Sequence, residues 1–163
     1  MNCKAEKLNN FLIENNVTAR GNEIVDDPLH TIYVTLGSVH GFEYVFQIDD
    51  SPIIGIKAVF SRNINPETEG LLLLLNKLSG KRKTHAYIVD TEGFLCATFA
   101  VLFEDETFEP DLLLDYCSLI DRCIGEDLPA VFDLLGLHLP ENFYSGVQIE
   151  DKDQAVAKSD ASE

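Results

Sequence analysis

The chain has 163 residues, 45% hydrophobic and 25% charged, with ten Gly and six Pro. That is the composition of one globular domain with a core of its own, and it excludes bulk disorder and collagen-like repeats. Twenty-eight Asp and Glu against twelve Lys and Arg leave a formal charge of -16, a surface that repels phosphate backbones, so neither nucleic acid nor an anionic membrane is expected as a partner.

The charge is unevenly placed. Residues 1–103 hold twelve acids and nine bases, and residues 104–163 hold sixteen acids and three bases. The last sixty residues therefore set the long-range field, which suits basic partners or serves solubility alone. A membrane helix needs about 18–20 consecutive apolar residues, and the longest run is only Leu71–Leu75. The charged N-terminus leads into an amphipathic segment and does not read as a signal peptide. Cys3, Cys96, Cys117 and Cys123 form no C-x-x-C pair. They read as reduced thiols, and the expected location is the cytoplasm.

The first predicted element is a helix over residues 3–16. Ala5, Leu8, Phe11 and Leu12 recur at helical spacing and Lys4, Lys7 and Glu14 face away, with Asn2 as N-cap and Gly21 beyond the end. Asp26-Asp27-Pro28 marks a turn. Three strands follow as an antiparallel meander, Thr31–Leu36, Phe42–Ile48 and Ile53–Phe60, the first two alternating apolar and polar with a period of two. Gly37–Gly41 and Asp49–Pro52 are the connecting turns.

A second helix is expected from Asn65-Pro66 to Gly80, with Lys81-Arg82-Lys83 placed as capping charge at its C-terminal end. Leu71–Leu75 covers its whole circumference, which predicts cover on two sides. Thr84–Asp90 and Phe94–Phe103 then form a hairpin through Asp90-Thr91-Glu92-Gly93, a type I turn closed by a left-handed glycine. The register pairs Val89 with Leu95, Tyr87 with Ala97 and His85 with Phe99 on one face. Ile88 meets Cys96, Ala86 meets Thr98 and Thr84 meets Ala100 on the other. That second face is small and largely apolar, unlike a solvated sheet face, so a further segment or another chain is expected against it.

A last helix is expected over Pro110–Ile124, ended by Gly125, with a short further helix from Asp127-Pro129 to Leu135. Residues 137–147 read as irregular and 150–163 as an acidic tail. The chain thus divides into a single α+β domain over 1–149, with an extension at 125–149, and the tail.

Motifs for chemistry are missing. The sequence has no G-x-G-x-x-G, Walker loop, G-x-S-x-G, H-E-x-x-H or spaced cysteine set. His30, His40, His85 and His138 never fall at the spacing that brings two ligands onto one helix face. His85 reads as a hairpin-edge histidine with a backbone partner, and Cys96, Cys117 and Cys123 as small buried groups. No catalytic, metal or cofactor residue is assigned, and the protein is expected to work by surface.

The order α-β-β-β-α-β-β-α resembles the YbjN-like proteins, described as bacterial sensory transduction regulators, which share the fold of type III secretion chaperones. The residues that carry the resemblance are Leu74-Leu75-Asn76-Lys77-Leu78 and Ala86-Tyr87-Ile88-Val89-Asp90-Thr91-Glu92-Gly93-Phe94-Leu95, within residues 3–124. It implies an α/β sandwich that forms homodimers and holds extended partner segments on apolar patches. The expected function is a non-enzymatic interaction module, chaperone-like or regulatory, without a cofactor. A small-ligand sensor is the alternative, and a hydrolase or redox enzyme ranks third. The candidate dimer or partner face is Ala86, Ile88, Cys96, Thr98 and Ala100.

Overall fold

The computed structural model describes residues 3–23, 31–37, 41–141 and 143. Helix α1 (Cys3–Glu14) leads into four strands, β1 (Ala19–Glu23), β2 (Ile32–Gly37), β3 (Glu43–Ile48) and β4 (Ile53–Ser61). Helix α2 (Leu71–Lys81), the hairpin of β5 (Ala86–Val89) and β6 (Leu95–Leu102), and helix α3 (Pro110–Leu135) complete the order. The strands make one antiparallel sheet, β1-β2-β3-β4-β6-β5. The α+β class and the antiparallel sheet are as expected, but the meander has four strands instead of three.

The added strand is β1, Ala19-Arg-Gly-Asn-Glu, which pairs with β2 at the sheet edge. Gly, Asn and Glu are poor strand formers and the segment has no apolar alternation. Only its pairing with β2 makes it a strand.

The apolar sets of β2, β3 and the hairpin point inward as their alternation and register predict, and β4 adds a further inward set. Val34, Tyr44, Phe46, Ile48, Ile54, Ile56 and Ala58 are buried, as are Tyr87, Leu95 and Ala97 from the hairpin. They join Leu8 and Leu12 of α1, Leu71, Leu75 and Leu78 of α2, and Leu113, Ile120, Ile124 and Val131 of α3 in one core. The three helices thus cover one face of the sheet. At about 25 cal/mol per Å² of apolar surface removed from water, this shared core is the main source of stability.

Five expectations about the helices are corrected. Lys4 belongs to the predicted polar face of α1 yet is 1% exposed. Its ammonium donates to the Ser51 carbonyl and to Asp105 Oδ1, both at 2.8 Å, so burial of the stem is matched by partners for the charge. Helix α2 begins at Leu71 rather than Pro66. Asn65 Oδ1 accepts the Glu67 N–H at 3.0 Å, a local turn that competes with the helix, and Gly70 at φ 78 sets the start. The run Leu71–Leu75 is covered on one side only among the described residues, for Leu72 and Leu73 remain 67% and 76% exposed. Lys81-Arg82-Lys83 does not serve only as capping charge, because the Arg82 guanidinium crosses to α3, as set out below.

The fifth correction is the largest. Gly125 does not end α3, and Pro129 lies inside it. Proline at this position removes the N–H that would meet the Gly125 carbonyl four residues earlier, so both apparent stop signals sit in a single turn. Buried Ile124, Leu128, Val131 and Phe132 hold the helix against the core through that turn. The stop comes at Gly136, at φ 64, whose N–H donates to the Asp133 carbonyl while Leu137 N–H donates to Phe132. The extension therefore opens as the same helix, to Leu135, and Phe143 beyond it returns to the core. The turns expected at Asp26–Pro28 and across residues 38–40, the Asn2 cap and the acidic tail lie outside the described residues. Pro129→Ala restores the missing donor and should stabilise the protein by about 1–3 kcal/mol; urea denaturation with an unchanged or lower midpoint would contradict an α3 that runs unbroken through this turn.

Candidate functional site

The candidate face is built by the β5–β6 hairpin. Asp90 N–H donates to the Phe94 carbonyl and Gly93 N–H to the Asp90 carbonyl, both at 3.0 Å, with Gly93 at φ 80 as the turn requires. A side chain at Gly93 would in addition meet the Ile64 carbonyl at 3.4 Å. Asp90 Oδ1 accepts the Glu92 and Phe94 N–H groups, and Oδ2 accepts Lys57 Nζ, all at 2.9 Å. Partial burial works against the Asp90 charge, but these donors outweigh it and hold the carboxyl below its usual range. The predicted pairs Ala86–Thr98, Tyr87–Ala97, Ile88–Cys96 and Val89–Leu95 are all present. The outer pairs His85–Phe99 and Thr84–Ala100 are absent, since β5 starts at Ala86.

Ala86, Ile88, Cys96, Thr98 and Ala100 share the sheet face turned away from the helices. Ala86 and Thr98 are half-buried, and Ile88 and Ala100 are exposed. Cys96 is fully buried although it lies on the open face, between Ile88 and Val59 in the ladder and beside Lys57 and Asp90. Among the described residues no helix or strand lies over this face. A hollow of about 470 Å³ occupies its middle, further towards β3 than the candidate residues, of which only Thr98 lines it. Tyr33, Val45, Val59 and Phe94 supply its apolar wall. Glu43, Lys57 and Arg62 supply charge. Glu43 accepts from Arg20 at 3.1 Å and Arg62 at 3.5 Å, and the Arg62 guanidinium sits 5.3 Å from the centre of the Phe94 ring. The strand alternation had already turned Val45, Glu43 and Gln47 outward. That Val59, Phe94 and Tyr33 meet them in one hollow depends on cross-strand register.

The cysteines do not converge. Burial pushes the Cys96 thiol up to about 11 and the Cys117 thiol up to about 12, so both stay protonated at neutral pH. Cys3 is exposed and Cys123 half-buried. His138 is exposed, and His30 and His40 lie outside the described residues. Among the described residues no three His, Cys, Asp or Glu side chains stand where they could hold a metal ion.

Among the described residues a dense polar cluster lies on the helix side, and it was not legible in sequence. Asp127, 2% exposed on α3, accepts Arg82 Nε at 2.7 Å, a second Arg82 nitrogen at 2.8 Å and the Tyr87 hydroxyl at 2.9 Å. Arg82 also reaches Glu126 at 2.7 Å and the Cys123 carbonyl at 3.3 Å. Burial disfavours the Asp127 charge, yet the hydrogen bonds from Arg82 and Tyr87 prevail and hold its carboxyl below the usual range. With its oxygens so engaged, Asp127 is a pin joining the end of α2, the start of β5 and the middle of α3. Tyr44 makes a parallel contact, donating to Asp121 Oδ1 at 2.6 Å.

His85 borders this cluster, edge-on to the Tyr87 ring at 4.9 Å. Its Nδ1 lies 3.0 Å from the Thr84 hydroxyl, not against a backbone group as expected, and its Nε2 is buried with no partner among the described residues. Burial, and then the positive charge of Arg82, lower its pKa. No protein-family model matches this chain, and no curated protein matches it either.

Two predictions follow from the cluster. Asp127→Asn removes the buried partner of the half-buried Arg82 guanidinium, which then keeps exposed Glu126 as its ionic partner, and should cost about 3 kcal/mol of stability in urea denaturation. Because the folded-state pKa of His85 lies below the unfolded value of about 6.5, unfolding takes up a proton at mildly acidic pH, and stability falls as pH drops from 7.5 to 5.5. His85→Phe should lose less over that interval than the parent protein. Asp127 acts in a separate window, its contribution present above about pH 4 and lost as pH falls through its lowered value.

Proposed function

We propose that this chain is a non-enzymatic protein-interaction module, chaperone-like or regulatory, that acts as a homodimer in the cytoplasm, in keeping with its resemblance to the YbjN-like and type III secretion chaperone proteins. The observation that carries the reading is the asymmetry of the sheet: three helices on one face, and on the other a broad, half-apolar surface without described cover. Solvated sheet faces are normally polar, and contiguous apolar surface of this kind marks a contact site. Leu72, exposed on α2, adds a second apolar patch close to Ile88 of β5, and Leu73 next to it in the chain is exposed too. The raised thiol pKa values of Cys96 and Cys117 and the full engagement of Asp127 also favour a binding role over a nucleophile or a general base. No helix among the described residues is long and apolar enough to cross a membrane.

A second reading has a specific observation behind it. The 470 Å³ hollow on the open face has apolar walls and charges of both signs, the make-up of a small-ligand site. A sensor domain would place its ligand there, and a thermal-shift screen with small metabolites separates it from a protein binder.

Sedimentation velocity at micromolar concentration should show a dimer. Ala86→Arg, Thr98→Arg and Ala100→Arg should each drive it to monomer without loss of fold; Cys96 is excluded as a test position because it is fully buried. A monomeric parent protein, or a dimer unaltered in all three variants, would remove the open face from the proposal.

A further inference from the structure

The edge of β6 is only half occupied. In an antiparallel pair, residues alternate between those that exchange backbone hydrogen bonds and those that do not. The Asp90–Phe94 bond sets the phase, so Ile88–Cys96 and Ala86–Thr98 are hydrogen-bonded pairs, and even-numbered residues of β6 aim their N–H and C=O groups towards β5. Tyr87 agrees with this phase, since its N–H turns outward to Ser79 Oγ at 2.9 Å. Strand β5 stops at Ala86, opposite Thr98, while β6 runs on to Leu102. Ala100 and Leu102 therefore present both backbone groups along a line that no described strand occupies. The chain leaves that line because Arg82 is held on α3 by Asp127, and this takes Lys83 and Thr84 out of register.

Beside this edge lies a hollow of about 510 Å³ between β6 and α3, bounded by Val101 and Phe103 on one side and Leu112 and Tyr116 on the other. Leu102, Leu112 and Tyr116 are 68%, 46% and 46% exposed. A strand laid along Ala100 and Leu102 would turn every second side chain into the hollow. The connection and first turns of α3, which carry Leu112 and Tyr116, expose Glu104, Glu106, Glu109, Asp111 and Asp115. Lys83 is the one base lining the hollow.

We propose that the free edge of β6 at Ala100 and Leu102 takes an extended segment of a partner protein as an added strand, its residues alternating between apolar and basic. The hydrogen bonds come from backbone, selectivity comes from the hollow, and the exposed acids of the adjoining 104–115 segment favour Lys and Arg over a second copy of this acidic chain. The inference rests on the reading of the chain as a protein-binding module, but on a different surface from the open-face dimer.

The test uses the full chain and a fluorescent peptide, Lys-Val-Lys-Val-Lys-Val-Lys, followed by anisotropy. It should bind at least tenfold more tightly than a block-order peptide of the same composition, and more weakly as salt rises. Methylating the backbone nitrogens of its alternate residues, in the frame that faces β6, should abolish that advantage. Leu102→Pro removes one outward N–H at a site where an edge strand tolerates proline, and should weaken binding at least tenfold. Leu112→Arg, on an exposed helix position, should do the same and serves if the proline variant does not fold. Equal affinity for the two peptides, or indifference to methylation, overturns the proposal. A dimer that Leu102→Pro converts to monomer also overturns it, by giving the edge to a second copy. Failure of the parent chain to bind the alternating peptide, alongside an Arg-sensitive open-face dimer, rejects this edge alone and leaves the interaction-module reading standing.

Discussion

The bond between Arg82 and Asp127 organises the molecule beyond its own energy. Arg82 follows α2 directly, and Asp127 sits in the middle of α3. Joining them fixes the two helices to each other and, through Tyr87, to the edge strand β5. A buried carboxylate is tolerated only when its lone pairs are met, and here three donors lie within 2.9 Å. The same bond draws residues 82–85 away from β6 and so decides where β5 can begin. One ion pair thus shapes both the helix layer and the free edge of the sheet.

The architecture divides the protein's labour between two faces. All three helices spend their apolar residues on one side of the sheet, where Phe46, Ile48, Ile54 and Leu95 are sealed from water. The other side keeps a mixed surface, with Val45, Val59 and Tyr33 set among Glu43, Lys57 and Arg62. Among the described residues, groups suited to bond-making do not gather on either side. The Cys96 and Cys117 thiols are buried and protonated, buried His85 is driven towards neutrality, and buried Asp127 is saturated with donors.

Much of this was legible residue by residue. The alternation in Ile32–Leu36 and Glu43–Ile48 identified two strands and their inward faces, and the sequence Asp90-Thr91-Glu92-Gly93 fixed the turn and so the register of every pair in the short hairpin. The candidate face Ala86, Ile88, Cys96, Thr98 and Ala100 followed from that register and does lie away from the helices. The apparent stops at Gly125 and Pro129 were misleading because helix propensity is worth a few kcal/mol at most, less than the combined burial of Ile124, Leu128, Val131 and Phe132. Strand β1 was invisible because an edge strand of Arg, Gly and Asn carries no periodic signal.

What the sequence by itself determined is whatever depends on neighbours within a few residues: turn type, inward and outward alternation, the span of the apolar helix faces, and the acidic bias of the last sixty residues. Only the tertiary structure decided which distant groups meet. Lys4 is buried because Ser51 and Asp105 are waiting for its ammonium, and Asp127 because Arg82 and Tyr87 converge on it from 45 and 40 residues away. Local dihedral preferences are written in short stretches of chain, whereas the cost of burying a charge is met only by partners that folding brings to it.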